Sequence, residues 1–168
     1  MFIDSQKASL IAEKEIKSVL EERDPMFVLW KDDSLGQAVL VRDIFKNPSY
    51  WLVPVTVHER VVGFVRVMGS GNVDAIGTSC RNVEDIQSCP TIVTGITKEA
   101  STQSVQKECH LEKNETLTEP VFVYDGSIGR EAWLVEVLQD KNVIRWIFVT
   151  AGGVYQRPAG KLLNGQLE

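Results

Sequence analysis

The sequence lacks long apolar runs and any surplus of basic residues. No stretch approaches the roughly 18 uninterrupted apolar residues of a membrane-spanning helix, and the first residues, MFIDSQKASLIAEKE, become charged before a signal-peptide core could form. Lysine and arginine number 18 against 23 acidic residues, for a net charge of −5, and they are scattered along the chain. The basic surface that binds nucleic acid is therefore missing. We expect a soluble protein with no membrane span and no nucleic-acid partner.

Cysteine is also scarce, and its three positions fit no common framework. Cys80, Cys89 and Cys109 are odd in number and lack the spacing of a zinc site. Two interpretations stay open: three reduced thiols, or a Cys80–Cys89 bridge that closes about ten residues. The compartment is open too. A native start at Met1 would make the protein cytoplasmic, whereas a chain excised from an ectodomain would be exported or displayed at the cell surface.

Only two histidines, His58 and His110, are available as bases. Nucleophilic catalysis needs a Ser, Cys or Thr beside a base, and His58 lies in a predicted turn. Cys109 and His110 are helix neighbours that point about 100° apart, which makes them a poor dyad or metal pair. HExxH, Walker, GxSxG and CxxC motifs are missing as well. The sequence indicates a protein that is not an enzyme, and it nominates no catalytic, cofactor-binding or metal-binding residue.

What the sequence does contain is one hairpin pattern written twice. WLVPVTVHERVVGFVRV starts at Trp51, and WLVEVLQDKNVIRWIFV starts at Trp133. Laying residues 39–73 on residues 121–155 without a gap makes 10 of 35 positions identical. A repeat at a fixed offset is a primary indication of architecture, and we interpret the two segments as diverged copies of one unit.

Each copy contains three stretches rich in Val, Ile, Trp and Phe, which favour β-strands. In the first copy we predict strands at about 37–45, 50–58 and 61–68; the hairpin turns lie at 58–60 and, in the second copy, at 140–142. Strict alternation puts Val53 and Val55 on one buried face, with Val62 on the opposite face beside Phe64. In the second copy Glu136 lies on that opposite face, which we therefore predict to be partly exposed to solvent.

A helix covers the buried face of each copy. In SQKASLIAEKEIKSVLEERDP the apolar residues recur every fourth position, at Ala8, Ala12, Ile16 and Leu20. Asp4 or Ser5 is the N-cap, and the helix ends before Pro25. TGITKEASTQSVQKECHLEK carries a thinner stripe, formed by Ile96, Ala100, Val105 and Cys109. The predicted fold class is α+β with two tandem repeats, each an N-terminal helix packed on a three- to four-stranded antiparallel sheet: residues 1–77, a linker at 78–90, and residues 91–168.

This order of elements resembles the PepSY domain and, more broadly, cystatin-like folds. The residues that carry the resemblance are AEKEIKSVLEE and SYWLVPVTVHERVVGFVRVMGSGNV in the first copy, and EAWLVEVLQDKNVIRWIFVTAGGVY in the second. The resemblance implies a sheet wrapped around one helix, in a family proposed to bind or restrain peptidases. The Gln-x-Val-x-Gly loop of true cystatins has its nearest match at 37–41, which lacks the glycine, so cystatin-type inhibition is not expected.

The function that we expect is a non-catalytic module that binds or regulates a protein or peptide, with peptidases among the candidate partners. The alternative is a small-ligand carrier or an enzyme with a pocket between helix and sheet. Trp30, in the apolar stretch MFVLW, either caps the first sheet or belongs to an exposed contact patch at residues 24–36. The partner's identity and the oligomeric state do not follow from the sequence.

Overall fold

The computed structural model describes residues 1–80 and 82–159, and the chain divides into two compact units. The first comprises Met1–Val41 and Pro48–Gly95, and the second comprises Arg42–Asn47 and Ile96–Glu168. Up to Gly95 the elements are α1 (Ser5–Glu21), a 3₁₀ helix (Pro25–Asp32), β1 (Ser34–Leu35), β2 (Val39–Arg42), β3 (Pro48–Val57), β4 (Arg60–Met68), β5 (Val73–Thr78) and a second 3₁₀ helix (Val83–Ser88). From Ile96 onward they are α2 (Lys98–Glu108), β6 (Glu115–Leu117), β7 (Val121–Tyr124), β8 (Glu131–Gln139), β9 (Asn142–Thr150) and β10 (Gly153–Pro158).

Helix α1 forms where its apolar spacing predicts. Asp4 is the N-cap, and its Oδ1 accepts the backbone N–H of Lys7 at 2.8 Å, which satisfies one of the donors that a helix start leaves unpaired. The buried stripe packs on β3 and β4, in a core that includes Ala8, Ala12, Ile16, Val53, Val55, Val57, Val62, Val65 and Val67. The predicted cap, buried face and end before Pro25 are confirmed.

Trp30 is part of this core, with none of its surface exposed. Its ring meets that of Phe27 edge to face, with centroids 4.9 Å apart. Gly63 of β4 makes room for it, since a Cβ atom there would lie 2.4 Å from Cζ2 of Trp30. Trp30 therefore caps the first sheet and is not part of an exposed contact patch. Met26 and Val28 of the same 3₁₀ helix are exposed.

A disulfide joins Cys80 and Cys89, whose Cα atoms lie 6.0 Å apart. Both cysteines are buried together with Ile86 in the core of the first unit. Arg60 reaches the same segment, with Nη1 donating to the carbonyl of Cys89 at 3.1 Å and Nη2 donating to Gln87 Oε1 at 3.2 Å. The Cys80–Cys89 bridge, one of the two interpretations of the cysteines, is confirmed.

The strands of the second unit are buried on both faces. On one face Val105 of α2 packs with Val135, Val137, Ile147 and Val149. On the other face the buried residues are Ile44, Val123, Ala132, Leu134, Trp146 and Phe148. The prediction of a partly wet face at Glu136 is wrong, because the segment 42–47 brings Ile44 over that face and Glu136 is itself buried.

The two long hairpins have the same register. Trp51 pairs with Val67 across β3 and β4, and Trp133 pairs with Val149 across β8 and β9, so both pairs repeat at the offset of 82 positions (51 to 133 and 67 to 149). Each hairpin closes through a two-residue turn in the left-handed region, at 58–59 and 140–141, as the twist of a hairpin favours. The shared ancestry of the two copies stays a prediction.

Each hairpin also carries a β-bulge in its first few pairs beyond the turn. A bulge adds one residue to a strand and so reverses which face the following side chains take. Val62 therefore lies in the same core as Val65, and Ile144 packs with Ile147. The strict alternation that placed Val62 beside Phe64 is wrong for this reason.

The predicted fold class, two tandem repeats with separate antiparallel sheets, is also wrong. Within residues 1–80 and 82–159 the strands form one ten-stranded sheet in the order β10-β9-β8-β7-β2-β3-β4-β5, with β1 paired to β3 and β6 paired to β8. The sheet is mixed, because β2 and β7 pair in parallel at Arg42 and Val123 whereas the hairpin strands are antiparallel. An open strand edge is a template for pairing, and the pattern within a hairpin does not reveal which strand will use that edge.

Candidate functional site

Between β2 and β3 the chain makes a tight turn that Asp43 fixes. Its Oδ1 accepts the backbone N–H groups of Phe45 and Asn47, both at 2.9 Å, and its Oδ2 accepts Nδ2 of Asn47 at 3.0 Å. Arg42 Nη1 donates to the carbonyl of Lys46 at 2.9 Å. A short carboxylate that bonds back to its own turn is a common way to hold such a loop. The turn therefore holds Phe45 and Lys46 in defined positions.

Lys46 forms an ion pair with Glu136 of β8 through Oε1 of the carboxylate. The side chain of Glu136 is 9% exposed, and that of Lys46 is 42% exposed. Burying a carboxylate costs free energy unless a partner compensates it. Lys46 is thus the group that allows Glu136 to lie on a buried face of β8.

A cavity of about 580 Å³, here called the Phe45 cavity, surrounds this ion pair. It is lined by Ile44, Phe45, Lys46, Glu136, Val143, Trp146 and Ala159. Phe45 is 50% exposed and Val143 is 37% exposed. Single exposed apolar residues are common on protein surfaces, but two at the same concave site mark a candidate binding surface.

Trp146 forms the most buried part of this lining, with 7% of its surface exposed. Its indole N–H is a buried donor that has no acceptor among the described residues. The guanidinium of Arg157 lies 5.6 Å from the centroid of the Trp146 ring and 4.9 Å from that of Phe148, within the range of cation–π attraction. Arg157 therefore helps to hold the indole in place while its N–H stays unpaired.

Arg157 is held in turn by Asp125, a buried carboxylate directly after β7. Asp125 Oδ1 pairs with Arg157 Nη2, and Oδ2 accepts the hydroxyl hydrogen of Tyr155 at 2.8 Å. Burial, followed by the hydrogen bond to Asp125 and the charge of that carboxylate, raises the pKa of Tyr155 to about 12. This cluster ties β10 to the chain that follows β7 and so supports the wall of the Phe45 cavity.

The first unit has exposed apolar surface of its own at residues 24–36. Met26 and Val28 are exposed and line a shallow cavity with Arg23 and Asn82. Two apolar side chains of the segment 24–36 are therefore exposed, whereas Trp30 is buried; that this surface contacts a partner stays a prediction.

A separate cavity of about 350 Å³ lies along α1 in the first unit. Its lining consists of Glu13, Ile16, Lys17, Leu20, Asp33, Ser34 and Leu35. Burial is the main reason that the pKa of Asp33 is raised, and the charge of Glu13 adds to the effect. This cavity lies between α1 and β1 and corresponds to the pocket between helix and sheet that the sequence offered as the alternative.

The residues considered for catalysis lie in a hairpin turn and at the end of a helix. His58 lies in the exposed turn between β3 and β4 of the first unit, whereas Cys109 and His110 follow α2 in the second. Burial raises the pKa of the Cys109 thiol, which is opposite to the change that activates a cysteine nucleophile. Among the described residues no group of three or more His, Cys, Asp or Glu side chains could hold a metal ion.

Sequence reasoning missed the residues that line the Phe45 cavity. One signal was present: Glu136 interrupts an apolar strand at the position where the first copy has Pro54. A charged residue in such a strand needs a partner. The partner, Lys46, is 90 positions away (136 − 46), and no local pattern connects them.

Within the described part of the chain, no helix combines the length and apolar character needed to cross a membrane. No family model, curated protein or solved structure matches the chain, so the resemblance to PepSY and cystatin-like proteins stays a prediction.

Proposed function

We propose that the chain is a non-catalytic module that binds a protein or peptide at the Phe45 cavity. The observation that carries the proposal is the exposure of Phe45 and Val143, two apolar residues in a lining that also holds the Lys46–Glu136 ion pair. Covering apolar surface is favourable by about 25 cal/mol per Å². A ligand that covers these two side chains therefore gains free energy that they do not gain in the unbound protein.

The dimensions of the site support binding of a side chain with its neighbouring backbone. A volume of about 580 Å³ lies within the roughly 300–1,000 Å³ of typical ligand pockets. The bonds that Asp43 makes hold Phe45 before any ligand arrives. A site that is already ordered loses less conformational entropy on binding.

The charged groups of the cavity fit recognition better than catalysis. A general base needs an accessible lone pair at the reacting atom, and the Glu136 carboxylate is buried and paired with Lys46. The pair provides polarity at a defined point among apolar walls, which gives a ligand its orientation.

The proposal is tested by selecting ligands from random heptapeptides displayed on phage, against the wild-type protein and the double variant F45S/V143S. Purified peptidases, the partner class implied by the PepSY resemblance, are tested on the same surfaces. The control variant is L10S, since Leu10 is an exposed apolar residue of α1 in the first unit. We expect ligands that bind the wild type and L10S equally and bind F45S/V143S at least tenfold more weakly. Ligands that ignore the double variant, or a failure to select any, would contradict the proposal.

A second candidate is a small-ligand carrier that uses the cavity along α1. The observation in its favour is the apolar floor of Ile16 and Leu20 beside Asp33, whose raised pKa reflects a partly desolvated carboxyl group. A metabolite panel tested by thermal shift on the wild type and on L20S would find such a ligand, because a ligand at about 100 times its dissociation constant stabilises by roughly 2.7 kcal/mol.

A further inference from the structure

We infer that β10 pairs with the β10 of a second copy of this chain, so that two molecules join their sheets edge to edge. The inference goes beyond the proposed function, because no residue of β10 belongs to the lining of the Phe45 cavity. It follows from the hydrogen-bonding groups on the open side of β10, from the pairing that these groups allow and from the side chains that the pairing brings together.

β10 lies at one edge of the sheet, with β9 as its neighbour on the inner side. The two strands pair without a bulge from Gly153 to Pro158, and just beyond them the backbone N–H of Ala159 donates to the carbonyl of Ile144. Inward and outward backbone groups alternate along an antiparallel pair. Counting back from Ala159, the residues of β10 whose N–H and C=O groups point away from β9 are Val154, Gln156 and Pro158.

Val154 and Gln156 each present a donor and an acceptor on this outer side, and these groups have no hydrogen bond among the described residues. Pro158 has no N–H and ends the usable edge. Proteins commonly block such an edge with a bulge or a proline. The opposite edge strand, β5, has a bulge in its pairing with β4, whereas the centre of β10 has neither device.

A second β10 in the antiparallel direction matches these groups when Val154 lies opposite Gln156 of the other copy. Each such pair exchanges both of its N–H···O bonds, so no backbone group of Val154 or Gln156 stays unpaired. The neighbouring symmetric registers are poorer. One places Pro158 opposite Val154, whose carbonyl then lacks a donor. The other places Gly152 opposite Gln156, although the N–H of Gly152 already donates to Thr150 Oγ1.

The same register brings compatible side chains together. Tyr155 faces Tyr155 of the second copy, and its ring, 39% exposed, is already held by stacking on Phe148 and by the bond to Asp125. Aromatic pairs across two strands stabilise a sheet, and a side chain that is ordered beforehand loses little entropy on association. Arg157 faces Gly153 of the second copy, so like charges are not opposed.

Helix α2 leaves room for the second copy. It contacts β8, β9 and β10 and therefore lies over β9, the middle strand of the three. Two copies of β9 would be three strand spacings apart, or about 14 Å. Packed helices need only about 8–10 Å between their axes, so two α2 helices fit on one face of the joined sheet. A second β10 also suits this short edge better than a flexible peptide, because the strand is already ordered.

Sedimentation equilibrium of the full chain tests the inference, at concentrations up to about 1 mM because an edge contact is a small interface. We expect a reversible dimer. Q156P removes an outward N–H and keeps the bonds to β9, so its association should be at least tenfold weaker, whereas the matched control Q156T should associate like the wild type. Urea midpoints check that both variants fold. Hydrogen exchange needs no variant: the amides of Val154 and Gln156 should exchange at least tenfold more slowly at the highest concentration than at the lowest.

Cysteine crosslinking tests the register, with the free thiol of Cys109 removed. Y155C/C109S should form a disulfide-linked dimer at least tenfold faster than Q156C/C109S, because in this register the two positions 155 face each other with Cα atoms about 4.5 Å apart. A chain that stays monomeric at the highest concentration, a dimer that Q156P leaves as tight as Q156T does, or equal crosslinking at both positions would overturn the inference. Amide protection that appears only with an added foreign peptide would assign the edge to another protein and would also overturn it. Phe45 and Val143 are unchanged in every variant, so the proposed function is tested separately.

Discussion

Trp133 donates its indole N–H to the carbonyl of Ile96 at 3.0 Å, and Ile96 directly precedes Thr97, the N-cap of α2. Trp51 makes the same contact in the first unit, donating to the carbonyl of Ile3 at 3.0 Å, just before the N-cap Asp4. In both units the tryptophan at the head of the hairpin is therefore bonded to the chain that leads into a helix.

The first prediction is that W51F and W133F each lower the free energy of unfolding. A lost hydrogen bond costs about 1 kcal/mol, and the smaller ring adds a packing loss of similar size. Urea titrations followed by circular dichroism measure both variants. F45L, an exposed substitution in the turn 43–47, should leave the midpoint within error. Unchanged midpoints for both tryptophan variants would show that the bonds do not anchor the helices.

The second prediction concerns the contact between Gly63 and Trp30. In G63A the new Cβ would lie 2.4 Å from Trp30 Cζ2 and 2.4 Å from the carbonyl oxygen of Gly77, so the neighbours must move. Overpacking of this kind costs about 2 kcal/mol. G152A is the matched control, because the nearest atom to its Cβ is Thr150 Oγ1 at 3.6 Å. Equal unfolding midpoints for the two variants would mean that Trp30 does not need this space.

The third prediction is that the Cys80–Cys89 bridge stabilises the first unit. Closing a loop of about ten residues removes unfolded-state entropy worth roughly 2.7 kcal/mol. Adding a reductant, or making C80S/C89S, should lower the urea midpoint accordingly, while C109S should not. A wild-type midpoint that is the same with and without reductant would contradict a stabilising bridge.

The fourth prediction is a loss of stability at high pH. The pKa of Tyr155 is raised to about 12 in the folded protein, above the roughly 10 of an unfolded chain. The contribution is therefore complete below pH 10 and disappears as the pH rises through 12. Y155F, which keeps the ring but loses the bond to Asp125, should cost about 1–2 kcal/mol at pH 7 and should flatten the decline. A phenolate absorbance titration of the wild type with every tyrosine ionising near 10 would refute the shift.

The fifth prediction compares the free energy of unfolding when one partner of the Lys46–Glu136 ion pair is removed with its value when both are removed. K46M leaves a buried carboxylate without its partner and should cost about 3 kcal/mol, whereas K46M/E136L should restore most of that loss. Thermal and urea unfolding measure both variants. If the double variant were as unstable as K46M, the loss of stability would come from losing the ion pair itself and not from leaving Glu136 buried without a partner.

Local pattern was enough to predict α1 and both hairpins. Asp4, the four-residue spacing of Ala8 and Ala12 and the stop before Pro25 are all contained in one short segment. The valine-rich strands and the turns between them are equally local, although the turns have two residues, at 58–59 and 140–141, and not the three that the pattern indicates. Interactions between residues that are close in sequence can be predicted from the sequence pattern alone.

Most of the structural features that the sequence pattern did not predict depend on contacts between residues far apart in the chain. The space that Gly63 leaves for Trp30 and the parallel pairing of Arg42 with Val123 each need a partner far along the chain. The same holds for the Phe45 cavity, because Phe45 and Glu136 lie 91 positions apart (136 − 45). The pattern of its strand alone predicts that Glu136 faces solvent, and only the pairing with Lys46 accounts for its burial. The bulge that turns Val62 inward is local, but strict alternation does not predict it.

The central claim, that Phe45 is at a peptide-binding site, is tested most directly by photo-crosslinking. Phe45 is replaced by p-benzoylphenylalanine, the protein is irradiated with a peptide selected on the wild type, and the joined residues are mapped by mass spectrometry. The same substitution at Leu10 provides the control. We expect crosslinks from position 45 to the peptide, reduced by an excess of unlabelled peptide, and none from position 10. Crosslinks of equal yield from both positions, or from neither, would contradict the claim.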